Sequence, residues 1–146
     1  MVGKALADNN LRETQQINEQ IKNLKIENKV TKTGFVKDED LVSLYNAAKA
    51  TILPSFYEGF GLPVLESMAC GTPVICSNVS SISEIVGKDA IFCDPSDPED
   101  IAKQIEKVFD ISQKEHELLS QKLIKHAGLF TWGKVARQTI DVYKAL

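Results

Sequence analysis

Three short apolar runs constrain the fold more than any other feature of the chain: "ATILPS" (50–55), "TPVIC" (72–76) and "AIFC" (90–93). Each is bounded by proline, glycine or acidic residues and is too short for a helix. Between them lie segments whose apolar residues recur at helical spacing. Strands alternating with helices specify βαβ units, because parallel neighbours need a crossover, and the crossover is right-handed. The expected fold is therefore α/β, a Rossmann-like, mostly parallel sheet with helices on both faces. In such sheets ligands bind outside the carboxyl ends of the strands.

The remaining elements follow from local signals. "MVGK" reads as a strand stub. Residues 7–24 read as a helix with Ile17, Ile21 and Leu24 on one face, and "NKVTKTGFV" as a short strand ending near Gly34. Asp38 is placed to cap a helix whose apolar face holds Leu41, Leu44, Tyr45 and Ala48. "ATILPS" is expected to be a buried parallel strand. Pro63 opens the helix "PVLESMAC", and Gly71 closes it. Ser81 and Glu84 have capping-box spacing, as do Ser112 and Glu115. Asp97-Pro98 starts a helix that buries Ile101, Ile105, Val108 and Phe109. Two closing helices fill 112–146, the second capped by Thr131. Residues 1–146 are expected to form one domain.

Bulk properties exclude several classes. With 43% hydrophobic and 25% charged residues in 146, the chain suits a single soluble domain. A net charge of −3 without a basic run argues against nucleic acid as a partner. No apolar segment approaches the roughly 20 residues that span a bilayer, and "MVGKALADNN" has no signal-peptide core. The three cysteines, Cys70, Cys76 and Cys93, form no CxxC pair and read as reduced thiols of a cytoplasmic protein. His116 and His126, the two histidines, read as solvated surface residues rather than ligands or bases.

The chemistry concentrates in "SFYEGFGLPVLESMACGTPVI" (55–75). Gly59 and Gly61 permit positive φ and close approach to a ligand. The helix opening at Pro63 offers unpaired N–H groups and a partial positive charge, an anion site suited to phosphate. Pro63 lacks an N–H, so the donors would be the amides of Phe60, Gly61, Leu62 and Val64. Glu58 and Glu66 flank this site. Next to a phosphate they make sense only if they reach past it to accept hydrogen bonds from hydroxyls. Glu66 could hold the diol of a ribose, and Glu58 the hydroxyls of a sugar beyond the diphosphate. The bland reading makes Glu58 a solvated loop acid and Glu66 an acid near a helix start.

"E-G-F-G-L-P-V-L-E" (58–66) resembles the E-x7-E motif of retaining glycosyltransferases with the GT-B fold, the group 1 or GT4 family. The resemblance extends through "GFVKDEDLVSLYNAAKATILPS" (34–55), "ACGTPVICSNVSSISEIVGKDAIFCDPSDPEDIAKQIEKVF" (69–109) and the closing "FTWGKVARQTIDVYKAL". It implies that the chain is the C-terminal, donor-binding domain of such an enzyme. Glu58 would be the catalytic-site acid on the donor sugar. Gly59, Phe60, Gly61, Leu62 and Val64 would line the sugar and diphosphate, Glu66 would bind ribose, and Val36 would lie against the base. The donor would be a GDP- or UDP-sugar, with no metal or other cofactor.

The family's basic pair that clamps the diphosphate has no match, and Lys4 is no substitute. The family's opening strand and helix and its N-terminal acceptor domain are also unmatched. The expectation is therefore a domain incomplete at its N-terminus and inactive alone, any membrane association being left to the missing domain. The alternatives are a non-catalytic GT-B-like partner subunit and a related sugar-nucleotide epimerase. Neither the donor nor the acceptor is readable from these residues.

Overall fold

The three apolar runs form one parallel sheet in the order β1-β2-β3, with β1 at Thr51–Leu53, β2 at Val74–Ser77 and β3 at Ile91–Cys93. The computed structural model describes residues 1–146, which divide into two compact units, 1–41 and 42–146. The sheet belongs to the second unit. Helix α3 (Leu62–Ala69) links β1 to β2, and α4 (Ile82–Val86) links β2 to β3.

Strand β2 is buried along its whole length, and its alternating side chains define two cores. Val74 and Cys76 pack with Val64 and Met68 of α3, Ile82 and Val86 of α4, and Leu123 and Ala127 of α6 (Gln113–Ala127). Ile75 points the other way, to Cys93 and to Val108 of α5 (Pro98–Asp110). Helices thus cover both faces, as the alternation of elements requires. Each fully buried aliphatic side chain contributes about 1.5–3 kcal/mol. Strand β1 departs from expectation. It pairs only with β2, so it is an edge, and Ile52 is 43% exposed.

Local capping signals are largely realised. Asp97 Oδ1 accepts from the amides of Glu99 at 2.9 Å and Asp100 at 3.2 Å. Ser112 and Glu115 form a reciprocal capping box, and Thr131 caps α7 (Trp132–Ala145) through the Lys134 amide at 3.2 Å. Gly71 follows α3 at φ 74, where a Cβ would lie 2.2 Å from Ser120 Oγ of α6.

Four expectations need correction. Asp38 is the first residue of α2 (Asp38–Ala47) rather than its cap; Lys37 O accepts the Leu41 amide at 2.8 Å. Ser81 precedes α4 but makes no capping bond, because its hydroxyl is used elsewhere. Phe109 lies on the outer side of α5, 60% exposed. His126 is not a solvated residue. Its Nε2 lies 2.8 Å from Ile85 O, and its ring covers Gly87, where a Cβ would meet Cε1 at 2.7 Å. It ties α6 to the end of α4.

The first unit holds α1 (Arg12–Asn23) and two 3-10 turns, Lys4–Ala7 and Glu27–Lys29. The expected strands at its ends are reduced to a rudimentary ladder. The Met1 amino group donates to Thr31 O, Thr33 N to Met1 O and Gly3 N to Gly34 O. The α1 helix starts later than its periodicity predicts. Thr14 is its buried residue, donating to Ala5 O at 3.0 Å, while Leu24 is exposed. No helix is long and apolar enough to cross a membrane.

Candidate functional site

The segment between β1 and α3 lies at the carboxyl edge of the sheet, because α3 starts where β1 has ended. Gly61 is its pivot. It precedes α3 at φ 92, ψ 42, a left-handed conformation that favours glycine, and it is buried against Ile82. Gly59 has no positive φ, and a Cβ there would meet nothing within 4 Å, so the expected backbone freedom is used only at Gly61. The Val64 amide donates to Gly61 O at 3.0 Å and is taken up inside the helix. The amides of Phe60, Gly61 and Leu62 donate to no protein acceptor.

Glu58, half-buried, is held mainly through its backbone. Ser80 Oγ donates to Glu58 O at 2.6 Å and accepts from Glu58 N at 3.3 Å, and Ser81 Oγ donates to the same carbonyl at 3.2 Å. The carboxylate receives one bond, from Ser55 Oγ to Oε1 at 2.8 Å. Ser80 sits at φ 41, in a region a non-glycine residue occupies at a cost of about 1–3 kcal/mol.

Glu66 lies on the second turn of α3 with its side chain exposed. Its Oε2 accepts from the Tyr45 phenol of α2 at 3.1 Å. Burial first, then the Glu66 charge and this bond, hold the phenol well above its ordinary pKa. Neither acid has a cationic partner; the chain's ion pair joins Lys122 to Asp89. Both carboxylates therefore keep acceptor sites open to a ligand's hydroxyls. Val36, half-buried, lies in the first unit.

The partners of both acids escaped sequence reasoning. Ser81 reads as a helix cap and Tyr45 as part of an apolar face. Ser80 has no local signal at all. The thiols offer no competing chemistry: burial pushes Cys76 up to about 12, and Cys70 and Cys93 are raised for the same leading reason. No three His, Cys, Asp or Glu side chains gather into a metal-binding group.

A parallel sheet flanked by helices, with a glycine turn at its carboxyl edge between two acids that lack cationic partners, makes an α/β domain with a candidate ligand site. The chain belongs to the family "Glycosyl transferases group 1", whose model matches residues 1–126. It is 46% identical over 114 residues to O-antigen chain mannosyltransferase B of Escherichia coli, covering 77% of this chain and 29% of that one. To mannosylfructose-phosphate synthase of Agrobacterium fabrum it is 36% identical over 127 residues, covering 86% and 28%. The chain thus spans less than a third of these curated relatives. Its fold matches the C-terminal half of GT-B structures. Sucrose-phosphate synthase of Thermosynechococcus elongatus superposes with a TM-score of 0.84 at 28% identity, over 94% of this chain and 36% of that one. HepE of Anabaena, solved with UDP-glucose, superposes with a TM-score of 0.85 over 99% of this chain and 40% of that one; at 24% identity it speaks to the fold alone.

Proposed function

We propose that this chain holds the nucleotide-sugar donor of a retaining hexosyltransferase. The observation that carries the reading is the pairing of two unneutralised acids across one turn whose amides at Phe60, Gly61 and Leu62 are free to donate. The amides and the α3 N-terminus bind the diphosphate and stabilise it as it leaves, which is electrostatic catalysis without need of a metal. Glu66 binds the ribose diol and Glu58 the hydroxyls of the sugar, with Gly59 between them allowing close approach. The likeness to a mannosyltransferase of Escherichia coli favours mannose as the sugar; the donor would carry it on GDP or UDP, and the acceptor would be a glycan or lipid-linked. The relatives' greater length supports acceptor binding by a further part of the enzyme, so residues 1–146 alone should give no transfer.

Calorimetric titration with nucleoside diphosphate and nucleotide-sugar tests the roles. Glu66→Ala should weaken both ligands by about 1.5–3 kcal/mol, as expected for a hydrogen bond to a charged group. Glu58→Ala should leave the nucleoside diphosphate nearly unchanged and weaken only the sugar-bearing ligand. If both substitutions leave both ligands untouched, the acids are ordinary surface residues and the reading fails.

A further inference from the structure

Glu66 is exposed and yet has a single protein partner, the Tyr45 phenol, and that partner is neutral. An arginine there would neutralise the carboxylate and occupy both of its oxygens, and a lysine would neutralise it. A phenol donates one bond to Oε2 and leaves Oε1 open. The pair is also held from behind by a buried polar chain. Thr72 Oγ1 donates to Tyr45 O at 2.7 Å, Ser67 Oγ donates to Thr72 O at 3.2 Å, and the same hydroxyl meets Thr51 Oγ1 at 2.8 Å. Ser67 adjoins Glu66 in sequence, is fully buried, and Thr72 is nearly so. The chain of bonds therefore fixes the end of α2 that carries Tyr45 against the turn of α3 that carries Glu66. A contact serving stability alone needs no charged acceptor kept open on its solvent side.

We infer that Tyr45 is a positioning residue that orients the Glu66 carboxylate for a vicinal diol of the bound nucleotide. The inference rests on the proposed role of Glu66. In the free protein the phenol restricts the carboxylate to one orientation, so less rotamer freedom is lost when the diol binds.

The test uses GDP and UDP and their 2′,3′-dideoxy counterparts, titrated into the wild type, Tyr45→Phe, Glu66→Ala and the double variant. Tyr45→Phe removes one half-exposed hydroxyl and keeps the ring, and Glu66→Gln is a second variant that keeps an acceptor for the phenol. Tyr45→Phe should lose about three- to tenfold in affinity for whichever diol-bearing diphosphate binds. It should lose nothing for the dideoxy ligand, and nothing further in the Glu66→Ala background. Glu66→Gln should fall between wild type and Glu66→Ala on the diol ligand. An equal loss on diol and dideoxy ligands would make Tyr45 a structural residue and overturn the inference. So would an unchanged Tyr45→Phe alongside a diol-selective loss in Glu66→Ala; in that case the role of Glu66 survives. If Glu66→Ala itself shows no diol selectivity, or no diphosphate binds, the role of Glu66 fails first and this inference falls with it.

Discussion

Glu58 and Glu66 are the same side chain on either side of one glycine turn, yet they are held in opposite ways. Glu58 sits in irregular backbone, and its main chain is clamped by Ser80 and Ser81 from beyond β2. Glu66 sits on a helix whose own hydrogen bonds fix the backbone, and only its carboxylate is directed, by Tyr45. A loop acid must have its peptide located before its side chain can be. A helical acid needs only its rotamer chosen. The contrast matches the proposed roles: Glu58 must find a sugar near the reacting centre, and Glu66 a ribose farther away.

The comparison can be broken at its common pivot. Gly61→Val places a β-branched residue at φ 92 and pushes its methyls toward Ile82, already 3.4 Å from a Cβ. It should destabilise the chain by about 1–3 kcal/mol or more in urea titrations and weaken nucleoside diphosphate and nucleotide-sugar alike. A variant of wild-type stability that discriminates between the two ligands would mean the turn does not support both sites.

Thr72→Val attacks only the Glu66 side. It removes the buried hydroxyl that bonds Tyr45 O while keeping the side-chain shape. A stability loss of about 1–2 kcal/mol is expected, with nucleoside diphosphate binding weakened. The increment that the sugar adds to affinity should stay unchanged; a reduced increment would show the two supports to be coupled.

Ser80→Gly attacks only the Glu58 side, and its two effects should oppose each other. Relief of the positive φ offsets the lost hydrogen bonds, so stability should change by less than about 1 kcal/mol. Affinity for nucleoside diphosphate should hold, whereas the extra affinity conferred by the sugar should fall about three- to tenfold. If the sugar's contribution is intact, the clamp is not what places Glu58.

Ser55→Ala is the mildest of the four. It deletes the one bond to the Glu58 carboxylate and leaves the backbone clamp in place. Loss of about 0.5–1 kcal/mol in nucleotide-sugar binding is expected. An effect larger than that of Ser80→Gly would reverse the proposed order of importance between carboxylate and backbone for Glu58.

What the residues alone determined is what depends on neighbours in sequence. The positions of β2 and β3, the start of α3 one residue before Pro63, the left-handed glycines at 61 and 71, and the caps Asp97, Ser112 and Thr131 all follow from local periodicity and turn chemistry. They were legible for that reason. The motif that places two acids around a glycine turn is likewise a local pattern. Tertiary structure decided the rest. Ile52 is half-exposed because β1 finds a partner on one side only, which no property of "ATILPS" reveals. Glu58 meets Ser80 across 22 positions, Tyr45 meets Glu66 across 21, and His126 meets Ile85 across 41. Each contact exists only once parallel pairing has set β1 beside β2 and packing has laid the helices on the sheet. A hydroxyl or an imidazole carries no mark in sequence of which distant carbonyl or carboxylate it will meet, because hydrogen bonds are satisfied by whatever burial brings within reach.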